Sequence, residues 1–192
     1  MAGWPYAPVL RRINANPELS GEDLAVAVVD EFAAAYGGVT RSEAVTQSAV
    51  STRRAVHTET LCKTLVHAII SSRSAELRLH VQRARDRTLT FEDRNYRDLG
   101  DFAANLAAAT AGQGESGVAR AAAALRDHLQ ERGESYPILR VGHSMRYARA
   151  TGLSVFLPDG LRSVNREGVM QKYRRLTFAQ DAGWDFLIEW LG

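Results

Sequence analysis

Cysteine is almost absent: Cys62 is the only one in 192 residues. A single thiol excludes an internal disulfide and any zinc site built on cysteines of this chain, and it agrees with a reducing compartment. Lysine is nearly as scarce, at Lys63 and Lys172 only, so the positive charge is arginine. No apolar run approaches the roughly 20 residues of a membrane span. The start, Met1-Ala2-Gly3-Trp4-Pro5, lacks the basic stretch and apolar core of a secretory leader. The expectation is a soluble chain with no membrane partner and the cytoplasm as its default location. Also missing is a long block of one sign, since 22 acidic residues are interspersed with 24 basic ones for a net charge of +2. That pattern marks a mixed solvated surface and argues against a nucleic-acid partner. The densest basic patch, Arg83 to Arg87, suits a helix C-terminus, where cations complement the dipole.

What is present suffices for one core. A hydrophobic content of 45% over residues 1–192 predicts a single domain. A glycine-rich, flexible connector lies near 111–117. The organising stretch is Gly152 to Pro158, an apolar run with Leu153, Val155 and Leu157 on one face and Phe156 on the other. Apolar residues on both faces predict a central strand covered on two sides, and Pro158 with Asp159-Gly160 ends it. Further strands are expected at Val45 to Thr52 and Tyr136 to Val141.

Amphipathic helices surround that strand. The first covers Ala7 to Asn14 and stops before Pro17. The next starts at Ser20, with Asp23 completing a capping box, and ends at Gly37-Gly38. A long helix from about Arg53 carries Leu61, Cys62, Leu65, Val66, Ile69 and Ile70 and breaks near Ser71-Ser72; a second piece carries Leu77, Val81 and Ala84. After a loop from Asp86 to Arg97, Asp98 caps a helix with Leu99, Phe102, Ala103 and Leu106 inward. Another helix follows over Val118 to Leu129. The tail, Asp181 to Leu191, reads as one short aromatic helix in which Trp184 and Trp190 serve packing.

Few residues offer chemistry of their own. His57 and His67 each lie five positions from Cys62, a spacing that does not put them on its face of the helix, and Cys62 falls in the apolar stripe. His80, His128 and His143 are single histidines with no ligand partners at metal spacing. No catalytic residue and no metal ligand is assigned within the chain.

Order and spacing point to a family. Gly152-Leu153-Ser154-Val155-Phe156-Leu157-Pro158, then Tyr173-Arg174-Arg175-Leu176-Thr177-Phe178-Ala179, then Trp184-Asp185-Phe186-Leu187, resemble the C-terminal end of clostripain-like cysteine peptidases, relatives of caspases and gingipains. Gly3-Trp4-Pro5-Tyr6 with Asn16-Pro17 and Leu24-Ala25 resembles the segment after the nucleophile in that family. Ser48-Ala49-Val50 resembles its next strand, and Tyr96-Arg97-Asp98-Leu99-Gly100-Asp101-Phe102 its Tyr-x-Asp-Leu-x-Asp-Phe helix start.

The resemblance implies an α/β fold, the helix-rich C-terminal portion of a caspase-like α/β/α sandwich. It implies the C-terminal half of a cysteine endopeptidase acting on peptide substrates. The family's His-Gly and Asp-Ala-Cys elements lie upstream of Gly3-Trp4 and are not in this sequence. The expected partner is therefore an upstream catalytic half, in cis or as a separate chain, and this chain alone is expected to be inactive. The family's acidic position just before Gly-Trp is Ala2 here, which departs from a preference for basic side chains. By resemblance alone calcium is the one cofactor to consider. Trp4, Tyr6 and Tyr96 are the substrate-contact candidates; the competing reading makes Trp4 and Tyr6 packing or exposed aromatics and Tyr96 a helix-start anchor. The alternative function is a non-catalytic interaction or regulatory module derived from the family.

Overall fold

The structure, a computed structural model, describes residues 4–36, 45–72, 74–161, 164 and 168–192. Helix α1 spans Tyr6–Ala15 and stops at Asn16, which Pro17 keeps out of the helical region at φ −145° and ψ 80°. Helix α2 spans Gly21–Tyr36. At its start the Ser20 hydroxyl accepts the Asp23 N–H at 3.1 Å and donates to the Asp23 carboxylate at 2.6 Å. The expected stop at Gly37-Gly38 lies outside the described residues.

Strand β1, Thr46–Val50, leads into α3, Thr52–Ser72, and α4, Ala75–Arg87. Ser74 caps α4 by accepting the Leu77 N–H at 3.0 Å, which is why the long apolar stripe breaks here. Strand β2, Tyr96–Asp98, follows and runs straight into α5, Leu99–Thr110, where Asp98 Oδ1 accepts the Asp101 N–H at 2.9 Å. Then come α6, Ser116–Gln130, and β3, Ile138–His143. Beyond a 3₁₀ turn lie β4, Ser154–Phe156, and the short helices α7, Val169–Tyr173; α8, Thr177–Ala182; and α9, Trp184–Leu191. The tail expected as one helix is two, because Gly183 takes φ 67°, a left-handed conformation that breaks the helix.

The fold is helix-rich α/β, and its described strands form two separate antiparallel pairs, β1 with β3 and β2 with β4. This corrects the central-strand expectation for Gly152 to Pro158. Among the described residues β4 has a strand neighbour on one edge only, β2. Val155 to Pro158 are buried nonetheless, because helices rather than strands cover them. An apolar run reports burial, and burial does not count strand neighbours.

Helices α3, α4, α5, α6 and α9 enclose the main core around Leu65, Ile69, Phe102, Leu106, Leu125 and Trp184. Phe102 and Trp184 meet edge to face at 6.2 Å, and the Trp184 indole N–H donates to the Phe156 carbonyl at 3.0 Å, which ties α9 to β4. Ala27, Val29, Ala49 and Ile138 are buried apart from this cluster, where α2 lies on the β1–β3 pair.

Two arginines that sequence places on the surface are inside. Arg97 is 2% exposed; it donates to the carbonyls of Leu157 at 2.9 Å and Arg85 at 2.7 Å and pairs with Asp159. Arg85, also buried, donates to the Pro158 carbonyl at 3.3 Å and pairs with Asp86. Each charge is inside because carbonyls and a carboxylate take the place of water. Together they fasten the end of α4 to the segment after β4.

Candidate functional site

Among the described residues the backbone geometry leaves two strand edges without a further strand partner. Leu99 N–H donates to Leu153 O at 2.9 Å and Leu157 N–H to Asn95 O at 2.8 Å. By antiparallel alternation Val155 therefore faces β2 with its backbone groups, and those of Ser154 and Phe156 point away. Trp184 occupies the Phe156 carbonyl, while Ser154, which is exposed, meets no further strand among the described residues. The same argument holds for β1. Ser144 N–H donates to Val45 O at 2.9 Å, so Gln47 and Ala49 face β3, and Thr46 and Ser48 point outward. The Ser48 hydroxyl reaches the Gly152 carbonyl at 2.6 Å and joins the two edges.

Three adjoining cavities follow these edges. The middle one, about 400 Å³, is bordered by Thr46, Ser48, Glu92, Asp93, Tyr96 and Ser154. A second, about 420 Å³, shares Tyr96 and Ser154 with it and is apolar, walled by Val56, Phe156, Tyr173, Leu176 and Phe178 with Glu59 beside them. A third, about 360 Å³, shares Thr46, Gln47, Phe91 and Glu92 with the first and reaches Trp4 and Phe32. The result is one groove. Tyr96, Phe156 and Tyr173 form an aromatic row along it, with ring centroids 5.5 and 5.0 Å apart. Burial pushes the Tyr173 hydroxyl's pKa upward, with Asp185 adding to it, so that phenol stays neutral.

The charge along the groove has one sign. Glu59, Glu92 and Asp93 border it, and among the described residues no lysine or arginine does, although the chain has 24 of them against 22 acids.

The candidate contacts separate. Trp4 lines one end of the groove, its ring tilted against Phe32 with centroids 6.1 Å apart, and is 47% exposed. Tyr96 stands at its waist as a wall of two cavities. Tyr6 borders none of the three and is 69% exposed on α1. Sequence reasoning did not single out Glu92, Asp93, Val56, Ser154, Tyr173 or Leu176 as a site. They come from four distant segments; Ser154, Tyr173 and Leu176 lie in the stretches that carry the family resemblance, and Val56, Glu92 and Asp93 lie in none of them.

Cys62 is far from reactive. It is fully buried in α3, and burial, reinforced by Glu59, pushes its thiol up to about 12. Among the described residues no hydrogen bond or ring contact joins it to a histidine. His57 instead packs edge-on against His128 at 4.8 Å, and His128 Nε2 lies 2.9 Å from Thr58 Oγ1. His143 Nδ1 meets the Ser144 carbonyl at 3.3 Å. Calcium takes six to eight oxygen ligands. Among the described residues no group of three acidic, histidine or cysteine side chains is placed to hold a metal. Nor is any described helix long and apolar enough to cross a membrane.

No curated protein and no solved structure matches the chain. The family model for the clostripain family matches residues 1–190.

Proposed function

This chain belongs to the clostripain family, and on that premise we propose that it is the part of a cysteine endopeptidase that follows the nucleophile-bearing segment. In this reading it supplies a cleft wall and the supporting core, while the catalytic histidine and cysteine come from an upstream half, in cis or as a separate chain. The observation that carries it is the state of Cys62. Peptide cleavage by a thiol needs a thiolate paired with an imidazole. Burial, reinforced by Glu59, pushes the Cys62 thiol's pKa up so that it stays protonated at neutral pH, and denies it a substrate. The groove supports the remaining role. Open strand edges can pair with an extended peptide, and Trp4 and Tyr96 stand where they can touch one.

The experiment is complementation. The purified chain is mixed with an upstream half carrying the His-Gly and Asp-Ala-Cys elements, and thiol-dependent hydrolysis of arginyl and lysyl fluorogenic peptides is followed. The reading expects activity in the mixture only, unchanged by Cys62→Ser. Activity of the upstream half that does not rise on adding this chain would sink it. A second reading, a binding module without a catalytic partner, is favoured by one observation: helices α3 to α9 of this chain bury a contiguous apolar core among themselves. That module expects a stable monomer that binds peptide and does not associate with an upstream half.

A further inference from the structure

We infer that His57 and His128 together bind one divalent transition-metal ion of the kind imidazole prefers, Cu²⁺ ahead of Ni²⁺ and Zn²⁺, where α3 packs on α6.

The sequence shows no histidine pair, because these two residues lie far apart along it. The fold makes one. His57 sits early in α3 and His128 in the last turn of α6, and the two helices pack against each other. Their ring centroids are 4.8 Å apart, with the planes at 84°. An ion bonded to two imidazole nitrogens at about 2.0–2.1 Å, with about 90–110° between the bonds, holds the ring centroids about 4.5–5.2 Å apart. The helices therefore already set the rings at chelating distance. A second contact orients one of them. His128 Nε2 lies 2.9 Å from the hydroxyl of Thr58, which is itself buried. A proton on Nε2 donated to that hydroxyl leaves the lone pair on Nδ1, and an acceptor behind the ring is what fixes the tautomer and orientation of a metal-binding imidazole. His57 is exposed, so its ring can turn and an ion can reach the pair from solvent. The donor set decides the ion. Among the described residues no third acidic, histidine or cysteine side chain joins the pair, and water completes the coordination sphere. Two neutral nitrogens suit Cu²⁺, Ni²⁺ and Zn²⁺, whereas Mg²⁺ and Ca²⁺ take oxygen ligands. Bound there, the ion ties the beginning of α3 to the end of α6.

Neither histidine borders the three cavities of the groove, so this site stands or falls apart from the peptidase reading. The test titrates the untagged chain by calorimetry with CuSO₄, NiCl₂, ZnCl₂ and MgCl₂ in a non-chelating buffer at about pH 7.5, where imidazole is neutral. One Cu²⁺ per chain is expected, with a dissociation constant on the order of 10⁻⁵ M or tighter, weaker binding of Ni²⁺ and Zn²⁺, and none of Mg²⁺. His57→Ala, at an exposed position, and His128→Gln should each weaken Cu²⁺ binding at least tenfold with unchanged circular dichroism. Thr58→Val, which keeps the buried shape and removes the acceptor, should weaken it about tenfold through the orientation of His128. His67→Ala, an exposed histidine elsewhere on α3, should leave it unchanged. Nitrogen coupling in the electron paramagnetic resonance spectrum of the Cu²⁺ complex should fall from two imidazoles to one in His57→Ala. Three results would overturn the proposal: no binding at millimolar Cu²⁺, binding of full strength in the His57→Ala, His128→Gln double variant, or a loss in His67→Ala as large as in His57→Ala.

Discussion

Replacing Asp98 by Asn, a change of one atom and one charge, should destabilise the protein. Asp98 is fully buried at the junction of β2 and α5. Its Oδ1 accepts the Asp101 N–H at 2.9 Å and the Thr151 hydroxyl at 2.7 Å, and its Oδ2 accepts the Thr151 N–H at 2.7 Å. All three partners donate, and two of them are backbone groups that cannot turn. An amide nitrogen at Oδ2 would face the Thr151 N–H; at Oδ1 it would face the Asp101 N–H, with only the Thr151 hydroxyl free to reverse. Either orientation leaves one buried backbone donor without an acceptor, at a cost of about 1–3 kcal/mol. Asp98→Ala removes both acceptors and the helix cap together, for about 3–5 kcal/mol. In a chain of this length each kcal/mol lowers the melting temperature by about 2–4 °C. Urea and thermal unfolding followed by tryptophan fluorescence, to which buried Trp184 contributes, would measure both variants. Burial raises the Asp98 carboxyl's pKa against those three hydrogen bonds, so a view based on desolvation alone expects the neutral Asn to be harmless or stabilising. An Asn variant as stable as the wild type would refute the hydrogen-bond argument.

Gly152→Ala should cost about 2–4 kcal/mol in urea unfolding. Gly152 holds φ +113°, and a Cβ there would meet Val141 Cγ2 at 2.8 Å and Ile138 Cγ2 at 2.9 Å; a variant of unchanged midpoint would contradict this. Trp184→Phe gives up the hydrogen bond to the Phe156 carbonyl and part of the core volume. Its expected cost is about 2–4 kcal/mol, read by circular dichroism in denaturant. Burial, with His57 adding to it, holds His128 below its ordinary value of 6.5. The folded protein thus favours the neutral ring: the stability from this group is complete above that value and is lost as pH falls through it toward the folded pKa. Unfolding midpoints between about pH 7.5 and about pH 5.5 should fall more steeply in the wild type than in His128→Gln; equal slopes would remove His128 from the account.

Local rules carried far into this structure. Ser20 and Asp98 cap helices with the hydrogen bonds that their side chains and positions imply, and the apolar stripe of α3 is the face that lies in the core. Strand β2 was not legible, since Tyr96-Arg97-Asp98 shows no alternation of apolar and polar residues. Its inward side chain is Arg97, held by carbonyls from α4 and from the residue after β4, partners between 9 and 60 positions away. Arg85 misled for the same reason, since a basic residue in a last turn reads as solvated until the chain that covers it is placed. The groove was the least legible part. Trp4 and Tyr96 were candidates only through the family resemblance. The carboxylates beside them and the open edges of β1 and β4 exist only because segments near 46, 92, 154 and 176 meet.

The central claim is that this chain cannot cleave peptides with its own thiol. Purified protein should be incubated with arginyl and lysyl fluorogenic peptides, and then with iodoacetamide followed by peptide mapping, in native buffer and in denaturant. The account predicts no hydrolysis and a Cys62 that is alkylated only after unfolding. Thiol-dependent cleavage that disappears in Cys62→Ser, or rapid alkylation of Cys62 in the folded protein, would contradict it.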